Sequence, residues 1–131
     1  MPYQYAAKIV CGLNKTTGML AHGSYETVVN IHNPYVEQQT FKYKVALAGE
    51  GKDGKISAFT SDKIGVDGAQ FFSCNDFHKI TGMAATVVID GFFVIESPQP
   101  LDVIAVYTTN DANGAGVPAI EVERVFERTI K

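Results

Sequence analysis

Along much of this chain hydrophobic and polar residues alternate with a period of two, as in strands that bury one face. Ser24 to His32 shows it best: Tyr25, Thr27, Val29 and Ile31 fall on one side, Glu26, Val28, Asn30 and His32 on the other. Asn33-Pro34 ends that strand, since proline has no N–H to give a ladder. Phe41, Tyr43, Val45 and Leu47 alternate with Lys42, Lys44 and Ala46, which predicts a half-buried strand with lysines outward. Shorter strands are predicted over Tyr5–Cys11, Ile56–Phe59, Gln70–Cys74 and Ala85–Ile89. Asp53-Gly54 is read as a tight turn between strands, and SDKIGVDG as a turn-rich link. Only Asn75–Met83 suits a single helical turn. A last strand covers Ile120–Ile130, and its alternation slips near Val125-Phe126, which points to a bulge or a switch between sheets.

The stretch from Gly91 to Thr109 breaks the alternation. GFFVIES and LDVIAVYTT are apolar at nearly every position, and the PQP between them reads as a tight reversal. This predicts a β-hairpin covered on both faces at the centre of the molecule. Leu101, Val103, Ala105 and Tyr107 take the core side, while Ile104 and Val106 share the opposite side with Phe92 or Phe93. Left bare, that side would be an apolar patch of about a few hundred Å², unusual on a monomer. The expectation is a homo-oligomer with Phe92, Phe93, Ile104 and Val106 in its interface; the competing reading folds the loop from Gly12 to Gly23 over them. About eight short strands separated by turn signals predict a single all-β domain over residues 1–131. An antiparallel β-sandwich is the expected architecture, with a closed β-barrel as the alternative.

Composition narrows the class without naming a role. With 46% hydrophobic and 19% charged residues the chain is an ordinary globular one. The net charge of −3 says nothing of a partner, but the lack of a dense basic patch argues against nucleic acid. No segment approaches the roughly 20 apolar residues that cross a bilayer, so membrane insertion is not expected. The start lacks the pattern of a signal peptide, which favours a cytoplasmic location; secretion after processing is the alternative. Cys11 and Cys74 each end a predicted strand and form the candidate disulfide; the other reading is two buried thiols.

Candidate chemistry is sparse. Cys74, Asp76 and His78 form a C-x-D-x-H cluster, but a structural metal site takes four ligands and only one short-spaced set exists, so no metal or other cofactor is expected. Cys11 or Cys74 with His32 or His78 could be drawn as a nucleophilic pair, yet none of the accompanying motifs is present. His22 has no such neighbours. The loop from Thr109 to Val117 resembles half a calcium loop but lacks its later ligands. The outer face of the second strand is the better candidate: Glu26, Asn30 and His32 would project in a row as a polar binding strip.

GSYETVVNIHNP, FKYKVAL, the block ending FFSCNDF, and GFFVIESPQPLDVIAVYTTND follow one another as in sensory rhodopsin transducer proteins. Over roughly Gly23 to Asp111 the chain resembles that family, or a related group of small uncharacterised bacterial β-sandwich proteins. The resemblance implies an oligomeric, non-catalytic β-sandwich that binds a partner, either a membrane receptor or another protein. The expected function is therefore a binding or adaptor module acting as a homo-oligomer. A structural subunit of an extracellular or surface assembly is the alternative, and a small Cys/His-dependent enzyme comes third.

Overall fold

The computed structural model describes residues 1–15, 20–110 and 119–130. Ten strands and one helix are present among them: β1 (Tyr3–Asn14), β2 (Gly23–His32), β3 (Gln39–Gly49), β4 (Lys52–Ile56), β5 (Thr60–Ile64), β6 (Ala69–Phe72), α1 (Cys74–Thr81), β7 (Ile89–Ser97), β8 (Asp102–Asn110), β9 (Ala119–Arg124) and β10 (Arg128–Thr129). Every pairing among them is antiparallel.

Two layers share β1. In the first sheet β7 lies between β3 and β1, with β4 and β5 on the far edge of β3 and β10 on the far edge of β1. In the second, β2 lies beside β8, β9 follows β8, and β6 and the end of β1 share the other edge of β2. Tyr3 to Cys11 pair with β7, whereas Gly12 to Asn14 pair with β2. The changeover falls at Gly12, whose φ of 123° is open to glycine and strained for other residues. The strand path runs from β4 to β9 without closing, so the fold is a sandwich and not a barrel.

The alternating strands bury the faces their patterns predict. Thr27, Val29 and Ile31 of β2 meet Tyr5, Ala7 and Ile9 of β1, Phe41 and Val45 of β3, and Val103 and Ala105 of β8 in one core. An aromatic cluster fills one end of it, with Tyr43 4.8 Å from Phe72 and Phe77 5.0 Å from Phe93 between ring centroids. Phe77 comes from α1, a two-turn helix and longer than the single turn expected. The Asp76 carboxylate accepts from the Ser73 N–H at 2.8 Å to close its N-terminus, and Gly82 ends it in the left-handed region. Cys74, the first residue of α1, is bonded to Cys11 of β1, so the two cysteines form a disulfide rather than two thiols.

Gly91 to Thr109 is not a hairpin. β7 belongs to the first sheet and β8 to the second, and Pro98 to Leu101 carry the chain from one layer to the other. The two apolar runs have different causes. β7 is central, with Val94 buried on its outer side between partners Ala6 and Lys44. β8 has a core side like any sandwich strand, and its outer apolar residues are exposed or half-buried.

Several local expectations also shift. The β3–β4 reversal is at Glu50-Gly51, where Gly51 has φ 66°, and Asp53-Gly54 lies within β4. A Cβ on Gly54 would come within 2.3 Å of the Leu47 carbonyl oxygen, beside an irregularity in that ladder, so this glycine serves close approach and not turning. Ser57 to Phe59 leave the strand, and β5 occupies part of the expected link. Residues 85–88 are turn and coil before β7 begins at Ile89. The slip at Val125-Phe126 is a switch of sheets: β9 pairs with β8, then β10 pairs with β1 in the other layer.

Candidate functional site

The ladder register fixes which side chains share the outer face of the second sheet. One row holds Phe71, Asn30, Ile104 and Arg124, taken from β6, β2, β8 and β9. The next row holds Val28, Val106 and Val122, and the one beyond it Glu26, Thr108 and Ile120. At the opposite end His32 pairs with Asp102. Directly opposed residues in antiparallel strands project on the same side, so these side chains form one surface.

That surface is apolar at its centre and uncovered. Phe71 is 66% exposed, Val122 64%, Ile120 69% and Ile104 39%. The outer face of the first sheet differs. Its exposed rings are capped by cations: Lys42 and Lys44 sit 4.5 and 4.6 Å from the Phe59 ring centre, and Lys8 lies 5.3 Å from that of Phe92. Lysines thus lie over rings of that face, although Phe92 is still 44% exposed; no lysine lies over Val106 and its neighbours among the described residues.

The polar end is built around His32. Its Nδ1 is 2.7 Å from an Asp102 carboxylate oxygen and its Nε2 2.7 Å from one of Asp67. Carboxylates only accept, so both contacts are made at once by the doubly protonated ring. Its hydrogen bonds to Asp102, and then to Asp67, raise the His32 pKa above its ordinary value. Asp67 reaches the ring from the turn between β5 and β6, where it adopts φ 52°. Buried Asn33 anchors that turn: its Nδ2 donates to the carbonyls of Glu37 at 2.7 Å and Gly65 at 2.9 Å. The residue read as a strand stop thus also positions the histidine's partner. His32, Asp102, Val103, Ile104 and Arg124 line a shallow depression beside it.

Of the residues expected to form sites, Glu26, Asn30 and His32 do lie on one outer face, and Ile104 and Val106 lie on the same face. Phe93 does not join them, because it is fully buried in the core. Phe92 does not either: it is on the outer side of the first sheet, on the far side of the molecule. Only a hairpin would put these four residues on one face, and β7 and β8 lie in different sheets. Phe71, Val122, Ile120 and Arg124 were not singled out by sequence, although IEVER places its first, third and fifth residues on one side of a strand. The pairing of Asp67 with His32 is 35 residues apart and leaves no local signal.

The remaining candidates are committed elsewhere. Both cysteine sulfurs are in the disulfide, so neither is a thiolate nucleophile. His78 turns both ring nitrogens to backbone carbonyls, of Cys74 at 2.9 Å and Val87 at 2.8 Å, and Asp76 caps α1. His22 is exposed in the connection before β2. No cluster of three or more metal-ligating side chains occurs among the described residues. The calcium-like loop falls mostly outside the described residues. Among those described, no helix is long and apolar enough to cross a membrane. Comparison of the chain with protein-family models, with curated proteins and with solved structures gives no match.

Proposed function

We propose that this protein is a non-catalytic binding module that works as a homo-oligomer, and that its chains associate through the outer face of the second sheet. One observation carries this reading: Val28, Ile104, Val106, Ile120 and Val122 form a continuous apolar field on that face, while on the other outer face lysines lie over the rings of Phe59 and Phe92. β2 and β8 pair over nine positions, with β9 beside six of them and β6 beside four, so this face covers on the order of 450 Å², the size of a weak interface beside the roughly 800 Å² per partner of a standard one. Closed symmetry is the usual outcome for such assemblies. The resemblance to sensory rhodopsin transducer proteins supports the same class, an oligomeric sandwich that docks on a membrane receptor or another protein. In that case His32, at the rim of the apolar field, is the group that faces the second partner.

The disulfide favours a second reading. Such bonds persist in oxidising compartments, which suits a structural subunit of an extracellular or surface assembly. Both readings require self-association and both are tested by one substitution. Ile104→Asp places a charge in the apolar field without touching the core. The variant is expected to keep its β-sheet circular dichroism and to sediment as a monomer where the wild type does not. An unchanged oligomer would place the interface elsewhere.

A further inference from the structure

Two charges, Glu26 and Arg124, border the apolar field. Glu26 is exposed, Arg124 lies over the Phe126 ring, 5.0 Å from its centre, and neither makes an ion pair among the described residues. They occupy opposite corners of the three-by-three array centred on Val106: Glu26 on β2 one row to one side, Arg124 on β9 one row to the other. This inference rests on the reading above and specifies its register.

In a face-to-face pair the two-fold axis lies in the plane between the sheets. An axis along β8 would set Glu26 over Ile120 and Arg124 over Asn30 of the second copy. An axis across the strands would set Glu26 over Asn30 and Arg124 over Ile120. An axis through Glu26 and Arg124 would set each on its own copy, like charge on like. Each of these leaves charges uncompensated against a desolvated surface, which is strongly unfavourable.

Of the axes through Val106 one brings opposite charges together, and we infer that it is the one used: two copies pack so that Glu26 of each is set against Arg124 of the other. With strands about 4.8 Å apart and same-face residues about 6.8 Å apart, this axis also passes through Phe71 and brings Val28 near Ile104 of the second copy. The strands then cross at a steep angle, within the orthogonal class of sheet packing. His32 and Asp102 fall beyond the edge of the contact and stay open to solvent.

Charge reversal with rescue tests it. Dimer dissociation constants are measured by sedimentation for the wild type, Glu26→Arg, Arg124→Glu and the double variant. Each single reversal is expected to weaken the dimer at least about tenfold, because two like-charge contacts replace two attractive ones. The double variant restores opposite charges and is expected within about threefold of the wild type, the mark of direct coupling. Glu26→Gln and Arg124→Gln, which add no charge, should weaken the dimer to a lesser degree and serve if a reversal fails to fold. If Ile104→Asp dissociates the assembly but the double reversal gives no rescue, the face is used in another register and this inference falls while the functional reading stands. A monomeric wild type overturns both.

Discussion

Tyr5 shows how one side chain can hold a connection in place. Its ring is fully buried in the core, and its hydroxyl accepts from the Leu101 N–H at 2.6 Å and donates to the Leu101 carbonyl at 2.9 Å. Leu101 ends the passage between the two sheets, so the polar backbone there is satisfied by a residue from β1 nearly a hundred positions away. Tyr5→Phe leaves both backbone groups buried without that partner and should cost about 1–3 kcal/mol, read from urea unfolding. A loss within error of zero would mean that water reaches Leu101. His32 makes a different prediction, about pH. Hydrogen bonds donated to Asp102 and Asp67 favour its charged form in the folded state, with Arg124 lining the same depression. Its folded pKa therefore exceeds the unfolded value near 6.5. The associated stability is fully present below that value and declines as pH rises through the folded pKa. An NMR titration should give a His32 pKa above 6.5, lowered by Asp102→Asn. A wild-type value at or below 6.5 would contradict the clamp.

At the scale of elements, how much could be read from the sequence depended on whether a strand had one buried face. The two sides of β2 and β3 are legible because alternation reports a sandwich strand directly, so Glu26, Asn30 and His32 could be placed together. β7 and β8 are not, because a run of apolar residues looks alike whether a strand is central, as β7 is, or bears an exposed sticky face, as β8 does. PQP looked like a tight turn for the same local reason, although prolines equally suit a passage between layers. The Val125-Phe126 slip was legible because changing sheets disturbs the period itself. β5 and β10 are too short and polar to carry a pattern, and the partners Asp67 and Arg124 depend on long-range register that one strand does not encode. The disulfide belongs to this scale too, since it ties α1 to β1 across 63 residues. Closing a loop of that size contributes roughly 4 kcal/mol in the chain-entropy model. Replacing both Cys11 and Cys74 with alanine should remove about 2–5 kcal/mol of unfolding free energy. Two titratable thiols in the unfolded, unreduced protein would show that the bond is absent.

On the scale of the whole molecule, the two outer faces divide the work. The first sheet covers its exposed rings with lysines and keeps Glu96 paired with Lys42 and Gln4, which makes it a finished surface. The second leaves valines and isoleucines exposed or half-buried between Glu26 and Arg124, neither of which makes an ion pair among the described residues. Burial of that field is the driving force assigned to association, and charge placement sets its geometry. The most direct test of this account is the mass of the unaltered chain in solution, by sedimentation equilibrium over a range reaching tens of micromolar. The account predicts a concentration-dependent rise to at least twice the 14.2 kDa of one chain. A single species of one-chain mass throughout that range would contradict it.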